Sequence, residues 1–405
     1  MGAVANSEEL GGFRCILPVQ SVEEAVCFGS GDGGVRVQSM QQQIDPFQRQ
    51  FLGQYLAVEA RSIAAAAADR LIDRHPALAA RFSPMPEAKW RVHLEGWATD
   101  LAAAINVGWP DVFTSRLRWC AVAFSAREVP IADLAAAFEA FKHALDRHVP
   151  KEDAPLLLPY FDAAETFLRA PNLDKVPEAA AGRLSGLAMA FLVAILEGDR
   201  ARASGMIMDA VSGGSLPAKS VYTEIVVPVM REVGRLWHLG EMSIAEEHFA
   251  SATVITVLGR LQAFMPAKPP NGKTLLSASV EGNSHDIGIQ ILSDVFESEG
   301  WRTIYLGGPV PVEDIAAAVV DFSVDLVALS ATLSQHLSTL GDAVAAVKSA
   351  RPENPPRVMV GGAALALAPN AWKELGADAW GKSLEDAVRV AAEMFGLGHD
   401  RPSGR

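Results

Sequence analysis

The sequence predicts an α plus α/β protein with an all-helical amino-terminal domain, a helical bundle and a carboxyl-terminal parallel sheet. Three observations predict this class. Alanine-rich stretches with apolar residues three and four positions apart run from Pro46 to about Arg169. A second helical pattern covers residues 178–265 and ends in a proline-rich linker. Beyond the linker, short β-rich runs alternate with helical ones, as they do in doubly wound sheets.

These patterns divide the chain into five predicted segments. The segments are a loose amino-terminal stretch (1–45), a helical domain (46–172), a bundle (173–268), a sheet domain (269–397) and a tail (398–405). The first segment contains a G-x-G-x-x-G run at residues 29–34. Because no βαβ unit surrounds that run, we interpret it as a loop and not as a nucleotide site.

The bundle is predicted from four helical patterns. They lie at residues 182–197, 200–212, 217–238 and 244–264. Ser243 and Glu246 have the spacing of a capping box and therefore mark the start of the fourth helix. Pro228 lies inside the third pattern and should bend that helix.

The sheet domain is predicted from five strand patterns with helices between them. The strands lie at residues 274–280, 302–307, 325–330, 357–360 and 378–381. Alternation of this kind gives a parallel, flavodoxin-like (Rossmann-like) sheet. Ligands of such sheets bind beyond the carboxyl ends of the strands.

Composition excludes several classes of function. The net charge is −13, from 35 basic and 48 acidic side chains, which argues against direct contact with nucleic acid. The three cysteines, Cys15, Cys27 and Cys120, are scattered and offer neither a disulfide framework nor a metal pair. The chain starts without signal-peptide features, and its longest apolar stretch, 186–196, is too short for a bilayer. We therefore expect a cytoplasmic protein without a membrane partner.

The loop after the first predicted strand carries the most informative motif. The run Asn-Ser-His-Asp-Ile-Gly at 283–288 fits D-x-H-x-x-G, with asparagine in place of the acid. A gap of 41 residues (289–329) precedes Ser-Ala-Thr at 330–332, and a gap of 28 (333–360) precedes Gly361-Gly362. Over roughly 273–397, this spacing resembles the cobalamin-binding domains that take the cofactor with its base displaced by a histidine.

The resemblance implies a lower face for the cofactor, with His285 as the axial cobalt ligand. The other residues that it implies in cofactor binding are Glu281, Gly282, Asn283, Ser284, Asp286, Ile287, Gly288, Ser330, Ala331, Thr332, Gly361 and Gly362. Glycine lets the backbone approach a large ring closely, and Gly361-Gly362 should leave space for a nucleotide tail. Taken alone, His285 would more simply be a loop histidine without a ligand role.

Two positions depart from the family pattern. In the family the acid, the histidine and the serine of the second motif form a hydrogen-bonded relay. Asn283 can orient the imidazole here, but it cannot take up a proton. This substitution puts methyl-transfer chemistry in doubt. Thr332 stands where leucine is common.

A second motif, W-x9-E-H, joins Trp237-His238 to Glu247-His248. It resembles the helical half of the adenosylcobalamin photoreceptors, among them light-released repressors. The resemblance implies that Trp237 packs against the adenosyl group, that Glu247 and His248 contact it, and that His238 takes the upper cobalt position after photolysis. From the residues alone, Trp237 could equally be a core anchor, and His238 and Glu247 could complement helix dipoles.

The amino-terminal helical domain contains no basic recognition helix. Its size and position resemble the photocobilins, cobalamin photoreceptors that also bind a bilin such as biliverdin. The candidate bilin contacts are Trp90, His93, Trp97, Arg118, Cys120, His143 and His148. Each of these residues has an ordinary core or surface role as its simpler interpretation.

Together, these resemblances predict a light sensor and not an enzyme. Adenosylcobalamin would be held between bundle and sheet, and photolysis of its cobalt–carbon bond would drive a conformational or oligomeric switch. We expect a homo-oligomer that signals to an unknown downstream protein partner. One alternative is a corrinoid methyl-carrier subunit of a methyltransferase system. Another is a light-independent regulatory protein with the cofactor as a structural ligand.

Overall fold

The structure, a computed structural model, describes residues 46–171, 173 and 184–397. The chain divides into two compact units, one described over residues 46–173 and the other over residues 184–397. The predicted loop at 29–34 and the cysteines Cys15 and Cys27 lie outside the described residues. Within them, no helix is long and apolar enough to cross a membrane.

The first unit is helical, as predicted. Its helices are α1 (Pro46–Arg74), α2 (Pro76–Arg81), α3 (Pro86–Val107), α4 (Pro110–Ser125), α5 (Ile131–His148), a 3₁₀ turn (Ala154–Leu157) and α6 (Leu158–Leu168). Prolines open the first four helices, because the first turn needs no donor at that position. The core is aromatic, and two carboxylates buried in it pair with arginines, Asp100 with Arg116 and Asp133 with Arg81.

The second unit begins with the four-helix bundle. Its elements are α7 (Gly186–Leu196), α8 (Arg200–Ser212), α9 (Ala218–Val221), a π-turn (Tyr222–Val226), α10 (Val227–His238), α11 (Ile244–Leu261) and a 3₁₀ turn (Gln262–Phe264). The capping box of Ser243 and Glu246 is confirmed. The first helix of the bundle begins at Gly186, where the Ser185 side chain accepts a hydrogen bond from the backbone N–H of Ala188, and the predicted start at 182 lies outside the described residues.

The third predicted helix, 217–238, is interrupted one turn earlier than Pro228. Proline lacks a backbone N–H and its ring crowds the carbonyl four residues before it. The chain accommodates this with the π-turn Tyr222–Val226, and α10 then starts with Pro228 in its first turn. The predicted bend is thus a local widening of the helix.

The sheet confirms the predicted parallel topology. Its strands are β1 (Thr274–Val280), β2 (Arg302–Val310), β3 (Leu326–Ser330), β4 (Arg357–Gly361) and β5 (Ala379–Trp380), in the order β2-β1-β3-β4-β5. The helices of the domain are α12 (Ile287–Ser298), α13 (Val312–Asp321), α14 (His336–Ala350), α15 (Ala363–Leu367), α16 (Ala371–Glu374) and α17 (Leu384–Phe395). This strand order is the flavodoxin-like one.

Both edges of the sheet are irregular. In β2, four steps from Tyr305 to Pro309 pair with only two steps of β1, from Ser277 to Ser279, so the edge strand bulges. Gly307 lies in this bulge with φ +82°. Sequence patterns ended β2 at 307 because Gly-Gly-Pro breaks strands, whereas the bulge carries pairing on to Val310. The other edge, β5, has only two residues.

Candidate functional site

The loop between β1 and α12 holds His285 in one orientation. The imidazole is only 6 % exposed, and its Nδ1 lies 3.0 Å from Oδ1 of Asn283. On its other side, Asn283 donates from Nδ2 to the Ser330 backbone carbonyl at 3.0 Å. Because a carbonyl can only accept, the amide nitrogen must face Ser330 and the amide oxygen must face the imidazole. Nδ1 of His285 therefore carries the proton and Nε2 does not, which is the tautomer that coordinates a metal through Nε2.

The relay implied by the family pattern has a different composition here. Asn283 reaches the backbone carbonyl of Ser330 and not its hydroxyl. Its amide oxygen also accepts from the His285 backbone N–H at 3.3 Å, so one side chain fixes both the loop and the ring. A carboxylate at position 283 would turn an oxygen towards the Ser330 carbonyl. The local geometry therefore suits asparagine.

Glycine and a buried strand shape the remainder of this loop. Gly282 has φ +82°, a backbone conformation that side chains disfavour. The Ser279 hydroxyl donates to the His285 carbonyl at 3.1 Å and ties the end of the loop to β1. Asp286 lies directly before α12, and the Tyr305 hydroxyl approaches its carboxylate at 3.4 Å. Burial and this carboxylate raise the pKa of Tyr305, which therefore stays a protonated donor.

A row of small residues crosses the carboxyl edge of the sheet. Ser279, Ser330 and Gly361 lie side by side in register on β1, β3 and β4. The row leaves little side-chain bulk next to the His285 loop. It is the kind of surface that a flat ring or a tail can approach.

Gly362 lies close to the backbone of Ala331. This residue has φ +102°, and a Cβ added there would lie 2.1 Å from the Ala331 carbonyl oxygen. The close approach of the loop after β4 to Ala331 therefore already requires glycine at this position, and the space expected for a nucleotide tail at Gly361-Gly362 stays a prediction. At Gly361, an added Cβ would make only an ordinary 3.5 Å contact with the Gly381 carbonyl oxygen. Thr332 follows Ala331 and is buried.

The W-x9-E-H residues lie at one end of the bundle. Trp237 and His238 are the last two residues of α10, and Glu247 and His248 lie in the first turns of α11. Trp237 packs against the bundle core and is half-buried. The connection between α10 and α11 thus gathers the four predicted upper-face residues.

Glu247 differs in character from its neighbour His248. The carboxylate is 2 % exposed and accepts hydrogen bonds from the Ser251 hydroxyl at 2.8 Å and from Nδ1 of His248 at 2.5 Å. His248 is exposed and its ring is oriented by that carboxylate. Glu247 can therefore act as an anchor for His248, with Ser251 as a partner that the sequence motif does not reveal.

The candidate bilin residues lie in the helical unit and only partly come together. Trp90, His93 and Trp97 are buried on α3, and the rings of Trp90 and His93 are 5.8 Å apart. Desolvation and the charge of Arg116 lower the pKa of His93 to about 4, so it is neutral at pH 7. The Arg118 guanidinium lies over the Phe167 ring.

The other three candidates have separate surroundings on α4 and α5. Cys120 is buried on α4. His143 lines a surface groove of about 570 Å³, and Nδ1 of His148 lies 2.8 Å from the Ala144 carbonyl oxygen. These positions follow from helix packing alone and identify no ligand.

Sequence reasoning missed three residues beside the His285 loop. Ser279 and Tyr305 lie on β1 and β2, and the sequence pattern there predicts only a strand and no functional role for them. His336 begins α14, is buried, and presents its ring edge to Gly282, where an added Cβ would lie 3.9 Å from Cδ2. The contact of Ser279 crosses only 6 residues, whereas those of Tyr305 and His336 cross 19 and 54 and leave no local signal in a single sequence.

The residues of this unit fit a corrinoid whose ring supplies most of the metal's ligands. Within the described parts of the chain, no group of three or more His, Cys, Asp or Glu side chains is arranged to hold a metal. His285 instead offers one oriented imidazole beside a strip of small residues. That donor set suits a metal that needs a single protein ligand. His285 would hold the metal, with Asn283 and Ser279 fixing its position.

Comparison with known proteins agrees with this geometry. One B12-binding domain model matches residues 273–389, and a second matches residues 187–262. The dimethylamine corrinoid protein 2 of Methanosarcina acetivorans is 29% identical over 169 residues, which are 41% of this chain and 77% of that protein. The HTH-type transcriptional repressor CarH of Myxococcus xanthus is 29% identical over 233 residues, 56% of this chain and 74% of that protein.

A solved structure, the monomethylamine corrinoid protein of Methanosarcina barkeri, aligns with a TM-score of 0.46 and 20% identity. The alignment covers 50% of this chain and 96% of that protein. Both family models fall inside the unit described over residues 184–397. The two matches support binding of a B12 (corrinoid) cofactor by this chain, and both lie within that unit.

Proposed function

We propose that this protein is a light sensor that holds adenosylcobalamin with its base displaced and His285 as lower ligand. The observation that carries the proposal is the Asn283 amide, bonded to His285 on one side and to the Ser330 carbonyl on the other. Such a ligand keeps one tautomer and exchanges no proton with its support. That suits a cofactor whose lower bond must persist while the upper face changes.

The upper face supports the same proposal. When bound, adenosylcobalamin supplies a cobalt–carbon bond that visible light cleaves. Trp237 and the pair Glu247–His248 lie at the α10–α11 connection, where an apolar ring and polar groups can bind an adenosyl group. His238, the final residue of α10, is the side chain that we propose approaches the metal once that group has left. CarH, a repressor, and this chain share 29% identity, which supports a regulatory role.

The test uses the full chain loaded with adenosylcobalamin in the dark and then illuminated. We expect the absorption spectrum and the molecular size measured by light scattering both to change. His238→Ala should alter the spectrum reached after light, whereas His75→Ala, which changes an exposed histidine of the helical unit, should not. A bound cofactor whose illumination changes neither the spectrum of the site nor the size of the protein contradicts the proposal.

A corrinoid methyl carrier is the second candidate. It is favoured by the identity to the dimethylamine corrinoid protein, whose name places it in methylamine metabolism. The Asn283 geometry opposes it, since the amide cannot take up or release a proton as the cobalt ligand changes. Transfer of the methyl group from protein-bound methylcobalamin to a thiol, in the dark and with a methyltransferase present, would favour this candidate. Under this second proposal, Asn283→Asp should speed the transfer.

The bilin stays a prediction from the resemblance. Neither family-model match extends into residues 46–171. The buried indole nitrogens of Trp90 and Trp97 have no hydrogen-bond partner in the structure, and a bound bilin could supply acceptors for them. A far-red absorption band in protein purified from cells supplied with biliverdin would support the prediction. Protein without that band would contradict it.

A further inference from the structure

Helix α12 follows β1 in the sheet domain, and one of its faces also packs into the hydrophobic core of the bundle. It starts directly after Asp286, so its position fixes the end of the loop that carries His285. Ile287, Ile291 and Val295 lie four residues apart along it and are buried in the bundle core. The helix that follows the lower-ligand loop is therefore also a wall of the bundle.

An apolar stripe of this kind does not fix the position of a helix along its axis. Ile287, Ile291 and Val295 have similar shapes, so a shift by one turn would replace one contact with a similar one. Polar groups with directional bonds remove that ambiguity, because a shifted arrangement would leave them buried without partners. Asp294 is such a group on the bundle side of α12.

The Asp294 carboxylate is 5 % exposed and accepts hydrogen bonds from two bundle segments. The Tyr222 hydroxyl donates to Oδ2 at 3.0 Å, and Nε2 of Gln262 donates to Oδ1 at 2.8 Å. Burial raises the pKa of Asp294, although both donors act in the opposite direction. The carboxylate therefore joins the start of the π-turn and the end of the fourth bundle helix to α12.

Tyr222 also connects this contact to the predicted upper face. It is the first residue of the π-turn, which is continuous with α10, and α10 ends at Trp237 and His238. One extra residue in a helical turn rotates the residues that follow by about 100°. The π-turn thus determines both where the Tyr222 hydroxyl points and which face of α10 carries Trp237.

We propose that Asp294, held by Tyr222 and Gln262, is a positioning residue that aligns the helix following His285 with the bundle end that carries Trp237 and His238. It acts through α12 and not by touching the cofactor. Its effect is to set how closely the bundle covers the upper face of a corrinoid bound through His285. This effect on how closely the bundle covers the corrinoid requires only that the protein binds B12. Any effect on a preference for an adenosyl group rests on the proposed function.

The test compares Tyr222→Phe and Asp294→Asn with a matched control. Tyr222→Phe removes a single oxygen, and Asp294→Asn keeps the shape of the side chain. Lys219→Met removes an ion pair with Glu299, which joins the same two parts of the unit at a more exposed position, 3.1 Å between Nζ and Oε1. All variants are made in the full chain.

The first readout is the rate at which cyanide replaces the upper ligand of protein-bound hydroxocobalamin, followed by absorbance. We expect this exchange to be about tenfold faster in Tyr222→Phe and Asp294→Asn, as loss of one hydrogen bond to a buried charged group suggests. Lys219→Met should exchange like the unaltered chain. Unchanged exchange in both variants, or an equal change in Lys219→Met, overturns the proposal, even if the variants are less stable.

The second readout is the ratio of dissociation constants for adenosylcobalamin and methylcobalamin in the dark. We expect the unaltered chain to prefer the adenosyl form and both variants to lose about tenfold of that preference. An unaltered chain without preference contradicts the proposed function, while the cyanide exchange still decides the positioning role. If both variants keep the full preference of the unaltered chain for adenosylcobalamin, Asp294 does not determine that preference.

Discussion

Each of the two units buries a histidine, but the surroundings of the two rings differ. We call the unit of residues 46–173 the helical unit and the unit of residues 184–397, which contains the bundle and the sheet, the sheet unit. In the helical unit, His93 lies beside the Trp90 ring and is held neutral by desolvation and by Arg116. In the sheet unit, His285 is buried to a similar degree, but Asn283 fixes its ring and its tautomer. Burial alone therefore does not mark a metal ligand. What distinguishes His285 from His93 is a polar partner, Asn283, that is itself anchored to the Ser330 carbonyl.

The two units also differ in how they use buried charge. Asp100 and Asp133 in the helical unit pair with arginines within that unit. Asp294 in the sheet unit receives neutral donors, a hydroxyl and an amide, from the bundle. In the helical unit, each buried carboxylate is thus compensated by a cation within its aromatic core. In the other unit, the buried Asp294 carboxylate is held by two neutral donors from the bundle and connects the bundle to the helix that follows His285.

The largest effect that we expect comes from Arg116→Met in the helical unit. Arg116 Nε lies 2.5 Å from Oδ2 of the fully buried Asp100, and removing one partner of a buried pair costs about 3–5 kcal/mol. Urea unfolding followed by circular dichroism would measure it. The control is Arg61→Met, because the Arg61–Glu95 pair is exposed and should contribute about 0–1 kcal/mol. Equal losses of stability in the two variants would show that the buried Asp100–Arg116 pair contributes no more than the exposed pair.

His285→Ala should abolish the lower bond while leaving the fold intact. Loss of an anchoring group around a metal ligand typically costs about 10–100-fold in affinity, and loss of the ligand itself should cost more. Corrinoid affinity and the visible spectrum of the bound cofactor measure this. The comparison variant is His93→Gln in the helical unit, which should keep both. Corrinoid binding by His285→Ala with unchanged affinity and colour would refute the site.

Asn283→Ala should weaken corrinoid affinity by about 10–100-fold, because it frees the imidazole to rotate and to change tautomer. Asn283→Asp should weaken it less but make it dependent on pH, since a carboxylate oxygen would face the Ser330 carbonyl unless it is protonated. Affinities measured between pH 5.5 and pH 8 separate the two variants. Asn283→Asp with the affinity and pH profile of the unaltered chain would show that the Ser330 contact is unimportant.

The smallest effect is an acid sensitivity of the helical unit that comes from His93. Its folded pKa is about 4, below the ordinary value of 6.5, so the unfolded chain binds the proton first as pH falls through that window. Stability is therefore complete above pH 6.5 and is lost below it, by about 1.4 kcal/mol at pH 5.5. The free energy of unfolding of the unaltered chain and of His93→Gln, each measured at pH 5.5 and at a pH above 6.5, tests this. Equal pH dependence in the two proteins would assign the sensitivity elsewhere.

Local patterns predicted most of the fold. Strand starts agree within one residue, and His285 lies on the predicted loop, while the last two residues of its motif begin α12. The predictions failed where contacts between residues far apart in the sequence determine the local structure. Sequence could not show that the bend expected at Pro228 becomes a π-turn, because the turn is stabilised by Tyr222 reaching Asp294, 72 residues away. The sequence also could not show that Gly362 is needed because its backbone lies against that of Ala331. Nor could it show that the Asn283 amide donates to the Ser330 carbonyl and not to the Ser330 hydroxyl.

The sheet margins bear on how copies of this protein can assemble. An exposed, regular strand would recruit a strand from another molecule and extend the sheet without limit. Here one margin bulges at Gly307 and the other is two residues long, so neither offers a straight ladder for addition. Growth into fibres through this sheet is disfavoured. If copies of this protein assemble, the sheet margins are therefore poor places for a stable contact between them.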